Sequence, residues 1–204
     1  MSSSTTTYRS AAPAFADLVE RIPADAWARP ALGVWDVKAL VGHTGRALST
    51  VSSYLQQPAE VQRMGSAAQY YAAAKLHAAP AAQDAVAERG RQAGADFGPD
   101  PAEAIRGLVR EVLRELDAEP GDPLITTIAG GMRLSDYLPT RTYELAEHGF
   151  DIATAAGIEF APPDDVLSET TRLAVDVSRL LGDGALVLKA LTGRATLPDG
   201  FSVV

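Results

Sequence analysis

Apolar residues return every three or four positions through most of this chain, and that spacing confines it to packed helices. Tyr8 to Ile22 carries Ala11, Phe15, Leu18 and Val19 on one face before Pro23 ends the pattern. Asp36 stands where a cap is wanted for a second helix, Val37 to Leu55, whose Val37, Leu40, Val41, Leu48, Val51 and Leu55 form a continuous apolar arc. Trp27 and Trp35 flank the connector between them, and Trp35 is expected to pack the start of that second helix. Ser66 to Ala95 is rich in alanine and predicts helix interrupted near Pro80, with few large residues to bury. Pro101 opens another helix, with Ile105, Leu108, Val109, Val112, Leu113 and Leu116 as its buried stripe and Pro120-Gly121 as its stop.

The stretch from Leu124 to Leu134 breaks the pattern. Its β-branched residues and its Gly130-Gly131 pair predict a small hairpin with the glycines at the turn. Ser135 then stands as a cap, Pro139 falls in the first turn of the following helix, and Gly157 ends it. Pro162-Pro163 separates a last pair of helices, Val166 to Leu181 and Ala185 to Leu191. The expected fold is all-α: a four-helix bundle over residues 1–160 with the hairpin before its fourth helix, and a short helical extension over 161–204 packing on it, one domain overall.

Composition narrows the chemistry. The 204 residues include no cysteine, which removes disulfides, thiolate metal sites and cysteine nucleophiles. Any metal must be held by nitrogen and oxygen, and the histidines are His43, His77 and His148. Eighteen basic against 26 acidic side chains give a formal charge of -8 with no basic block, which argues against a nucleic-acid surface. No secretory leader and no bilayer-length apolar span is evident, so a cytoplasmic protein away from membranes is the expectation.

Arg141-Thr-Tyr-Glu144-Leu-Ala-Glu-His148-Gly-Phe-Asp151 is the most informative segment. At 100° per residue Glu144 and His148 lie one turn apart on one face, with Arg141 and Asp151 beside them, so both could reach one cation. The same polar arc continues through Asp136, Thr140, Glu147 and Thr154, opposite Leu138, Leu145, Phe150 and Ile152. On periodicity alone an ordinary solvent-facing helix is the preferred reading. His43 borders Leu40, Ala47 and Val51 at the edge of the buried arc, where a lone histidine is more often a satisfied boundary residue than a ligand. Facing helices of a bundle are nevertheless where metal sites are assembled, and two nitrogens with one carboxylate match a zinc site with an open position. His77, near Tyr70 and Tyr71, reads as a surface or pocket-wall residue. Gly130-Gly131 lacks a phosphate-loop context, and Ser52-Ser53 lacks that of a nucleophile elbow.

Three patterns in order carry a family resemblance. Trp35-Asp-Val-Lys-Ala-Leu-Val-Gly-His43, then Gly130-Gly-Met-Arg-Leu-Ser-Asp-Tyr-Leu138 running into Arg141-x-x-Glu144-x-x-x-His148-Gly-x-Asp151, resemble the second helix, hairpin and fourth helix of the mycothiol-dependent maleylpyruvate isomerase family, in the DinB-like superfamily. Ala190-Leu-Thr-Gly-Arg194 is similar to the tail of many short actinobacterial members. The resemblance implies a DinB-like bundle holding a divalent metal, zinc foremost, on His43, Glu144 and His148, and it reverses the solvent-face reading. It gives the supporting catalytic roles to Asp151, which would orient a neighbouring group, and to Arg141, which would pair with Glu144 or a substrate carboxylate. It further implies a short form without the larger C-terminal domain of the isomerase type.

A metal with an open position suits thiol activation, which supplies a sulfur nucleophile without a protein cysteine. The expected function is metal-dependent activation of mycothiol or a similar thiol for S-transfer to, or isomerisation of, an electrophilic small molecule. The alternatives are a small-molecule-binding protein without turnover, and a metal-free biosynthetic enzyme performing a cyclisation or thiol exchange. Expected partners are the substrate and the thiol, on a monomer or homodimer.

Overall fold

The computed structural model describes residues 3–76 and 80–204. In chain order the described elements are α1 (Ser3–Glu20), α2 (Val37–Leu55), β1 (Gln62–Met64), α3 (Ala67–Leu76), α4 (Pro80–Asp96), α5 (Pro101–Ala118), β2 (Leu124–Thr127), β3 (Gly130–Arg133), α6 (Leu134–Ala156), α7 (Asp164–Leu180) and α8 (Gly184–Leu191). Helices α1, α2, α5 and α6 form the expected bundle, with α1 and α2 each packed against both α5 and α6. Its core holds Tyr8, Phe15, Leu18, Leu40, Leu48, Ile105, Leu138 and Ile152, all fully buried. No described helix is long and apolar enough to cross a membrane.

Two helices begin where expected, α2 after its Asp36 cap and α5 at Pro101. An Asp36 carboxylate oxygen accepts the Ala39 amide at 2.8 Å to start α2, and Asp100 accepts the Glu103 amide at 3.0 Å to start α5 ahead of Pro101. Others differ from expectation. Helix α1 starts at Ser3 rather than Tyr8, and within it the Thr7 and Ser10 hydroxyls bond back to the carbonyls of Ser3 and Thr6. Ser135 does not cap α6: the helix begins at Leu134, and Asp122 accepts both the Ser135 amide and its hydroxyl at 2.8 Å. Pro139 consequently lies inside α6, beyond its first turn.

The hairpin is present, but its turn is Ile128-Ala129, and Gly130 and Gly131 belong to β3. They serve a strand absent from the sequence reading. Strand β1 pairs in parallel with β3 and completes a sheet of order β1-β3-β2. A side chain at Gly131 would place its Cβ 2.0 Å from the Val61 carbonyl oxygen, so the glycine permits that approach.

The alanine-rich helix solves its shortage of large residues by backbone contact. A Cβ at Gly42 of α2 would lie 2.2 Å from the Gly94 nitrogen of α4, and one at Gly94 would lie 2.5 Å from the Lys38 carbonyl oxygen. Helix α4 therefore lies directly on the part of α2 that carries His43. On the other side α7 packs along α6, α3 and α1 through Val166, Leu173 and Val177, whereas α8 buries no residue.

Substituting Gly94→Ala should cost about 1–3 kcal/mol of stability, since a buried methyl has only backbone to displace; an unchanged urea midpoint would refute that close packing. A second expectation concerns α7. Burial raises the Glu169 carboxyl to about 7, against a smaller lowering by Thr142, and its Oε2 is buried without a hydrogen-bond partner. A carboxyl raised in the folded state favours folding while protonated and loses that contribution as pH rises through about 7. Glu169→Gln should then stabilise the protein at pH 8 and not at pH 5, and equal effects at both in urea unfolding would contradict this.

Candidate metal centre

Helix α6 is enclosed by α1, α2, α3 and α7, so the polar side of its sequence cannot all face water. Leu138, Leu145 and Ile152 are buried on one side as expected. On the other, Thr140 is fully buried, and the Arg141, Glu144 and His148 side chains are only 11%, 18% and 12% exposed. The solvent-face reading is thereby overturned. Phe150, expected in the apolar set, is instead 42% exposed and rests edge-on against Phe160.

Glu144 and His148 face His43 across the α2–α6 contact. Glu144 Oε2 lies 3.5 Å from His43 Nε2 and 3.5 Å from His148 Nε2, and the three potential ligand atoms all lie within 4.8 Å of one another. Nitrogen and carboxylate ligands placed tetrahedrally around zinc at about 2.0–2.1 Å sit about 3.3–3.4 Å apart, so the two 3.5 Å separations fit an ion. Among the described residues no other group of His, Asp and Glu converges this way.

Each candidate histidine ligand is held from behind. The His43 ring stacks on Trp35 with centroids 4.5 Å apart, and Trp35 Nε1 donates to the Ala87 carbonyl of α4 at 2.9 Å. Trp35 thus packs the start of α2, as expected, and also sets the plane of a ligand ring. His148 Nδ1 lies 3.2 Å from Asp151 Oδ2, which orients the ring so that Nε2 turns toward Glu144. Burial alone would raise the Glu144 carboxyl, but bonds from His148 and His43 and the Arg141 charge hold it well below the usual carboxylate range. Burial would likewise lower His148, yet Asp151 and Glu144 together lift it to about 10.

Arg141 lies 3.8 Å from Glu144 Oε1. Its guanidinium stands 5.1 Å from the Tyr137 ring centre and 5.9 Å from that of Tyr70, and its Nε donates to the Thr140 hydroxyl at 2.9 Å. Beside it opens a cavity of about 510 Å³ whose wall includes His43, Glu144, Arg46, Arg89, Arg141 and four tyrosines, Tyr54, Tyr70, Tyr71 and Tyr137. The guanidinium groups of Arg46 and Arg89 have no hydrogen-bond or ion-pair partner among the described residues.

The structure therefore brings together His43, Glu144, His148, Arg141 and Asp151; His77 lies outside the described residues. Sequence reasoning missed the tyrosines and Arg46 and Arg89. Tyr70-Tyr71, two large residues in a helix otherwise poor in them, was the available signal.

A helical bundle with a small sheet ahead of its last long helix, and a His–Glu–His set projected inward from two facing helices, is DinB-like. The family model for the mycothiol maleylpyruvate isomerase N-terminal domain matches residues 8–153, and the chain belongs to that family. No curated protein and no solved structure matches it.

Protein dialysed against zinc should hold about one ion per chain, and His43→Ala and His148→Ala should lose it while their circular dichroism stays helical. Asp151→Asn should weaken zinc binding by about 10–100-fold in a competition titration with a chelating dye. Zinc-free wild-type protein after dialysis would contradict the assignment.

Proposed function

We propose that this protein is a metal-dependent enzyme that activates a low-molecular-weight thiol, mycothiol by its family, for delivery to an anionic electrophile. The observation that carries the reading is the convergence of His43, Glu144 and His148 beside a cavity bearing three arginines. His43, Glu144 and His148 would hold a divalent ion such as zinc, which when bound would supply the Lewis acidity that favours loss of a thiol's proton near neutral pH. The chain has no cysteine, so that sulfur must arrive with the cosubstrate.

The remaining steps belong to the protein's own side chains. Asp151 holds His148 Nδ1, leaving Nε2 to face the ligand set, and Trp35 keeps the His43 ring in plane. Arg46, Arg89 and Arg141 face the cavity against a single carboxylate, Glu144, in a chain whose overall charge is -8. That local excess of positive charge suits a carboxylate-bearing electrophile. When a thiolate adds to a conjugated alkene, charge moves onto the electrophile's acceptor group, and these guanidiniums stand where it can be held. Return to carbon of the proton given up by the thiol, followed by release of the adduct, gives S-transfer; rotation about the former double bond and loss of the same thiolate gives isomerisation.

The test is turnover of mycothiol with paired anionic and neutral conjugated alkenes. Reaction should require both thiol and metal, and Arg46→Ala or Arg89→Ala should raise KM for the anionic alkene by about tenfold, in line with the loss of one charged hydrogen bond, and leave the neutral one unchanged. Binding without turnover would support a non-catalytic binding protein, and turnover unaffected by His148→Ala would support metal-free chemistry.

A further inference from the structure

The two oxygens of Glu144 have different neighbours. Oε2 faces both histidine Nε2 atoms at 3.5 Å. Oε1 turns away from them and accepts the Tyr71 hydroxyl at 2.8 Å. Tyr71 comes from α3, outside the four bundle helices, and its ring is buried against Tyr70 and Tyr143 with centroids 5.7 and 5.2 Å away. The Thr140 carbonyl lies 2.9 Å from the same phenol oxygen, so the one phenol hydrogen has two acceptors in reach, of which the charged carboxylate is the stronger and the nearer. Arg141, the other group near Oε1, stands at 3.8 Å, beyond hydrogen-bond distance, so it contributes charge and not a directed bond.

This asymmetry bears on coordination number. A carboxylate can bind a metal through one oxygen or through both, and with two histidines and a water or thiol the second mode raises the coordination number from four to five and crowds the position that a thiol needs. Engaging Oε1 in a charge-assisted hydrogen bond makes the two-oxygen mode costly, because that bond draws Oε1 toward α3 and turning it to a metal would strain the bond. We propose that Tyr71 is a positioning residue that holds Glu144 to the metal through Oε2 alone, keeping a coordination position open for the thiol. This rests on reading His43, Glu144 and His148 as a metal site. It also gives α3 a purpose beyond packing, since its Tyr71 reaches the Glu144 oxygen that the histidines do not face.

The test uses the full-length protein loaded with cobalt(II), whose visible absorption strengthens as coordination number falls. Wild-type protein should show the intense bands of a four-coordinate ion, water filling the open position. Tyr71→Phe keeps the ring and removes only the hydroxyl; its bands should weaken by about threefold as Glu144 gains a second contact, and its affinity for 2-mercaptoethanol, read from the sulfur-to-cobalt charge-transfer band, should fall about tenfold. Tyr143→Phe, which removes a phenol from the same cluster with no bond to Glu144, should leave both signals unchanged. Identical cobalt spectra and thiol affinities in wild type and Tyr71→Phe would overturn the role given to Tyr71, as would equal losses in Tyr71→Phe and Tyr143→Phe. Failure of the wild type to bind cobalt at all would instead overturn the metal site itself.

Discussion

Everything distinctive about this structure depends on one buried carboxylate. Glu144 lies inside the bundle between His43 and His148, and a carboxylate there is tolerable only because charged or hydrogen-bonding groups surround it. The two imidazoles take Oε2, Tyr71 takes Oε1, and Arg141 adds a nearby positive charge. Removing any of them leaves a buried charge less compensated, which ties the integrity of α6 to residues on α2 and α3.

The surrounding architecture follows from that requirement. Helix α2 must hold His43 steady, and it is clamped by the direct backbone contact of Gly42 with Gly94 and by Trp35, which bonds α4 and stacks on the histidine. Helix α4 is small-residued for the same reason: larger side chains would hold it away from α2. The arginines then give the adjoining cavity a charge opposite to that of the molecule as a whole. On the proposed function a divalent ion would add to that positive potential, so metal binding and recognition of an anionic substrate would reinforce one another in a single small volume.

Much of this was legible in the sequence because it rests on local rules. Asp36 announces α2, Pro101 announces α5, and the left-handed Gly157 ends α6 at the expected residue. The orientation of α6 was not legible. A helix covered on several sides buries polar and apolar residues alike, so periodicity could place Glu144 and His148 on one face without telling whether that face pointed outward. The resemblance carried by Trp35–His43 and Arg141–Asp151 supplied what periodicity lacked. Strand β1 was missed because it is three residues long and its partner is distant in sequence, and the Gly130-Gly131 turn was misplaced because those glycines make room for that strand. Tyr71 escaped notice because its importance lies in a contact with Glu144, 73 positions away.

The most direct measurement is the anomalous scattering of a zinc-soaked crystal, collected on both sides of the zinc absorption edge. A peak about 2.0–2.2 Å from His43 Nε2, His148 Nε2 and Glu144 Oε2, with Glu144 Oε1 still bonded to Tyr71, is the expected result. No peak between those atoms, or zinc bound only elsewhere on the surface, would contradict a metal-centred function for this bundle.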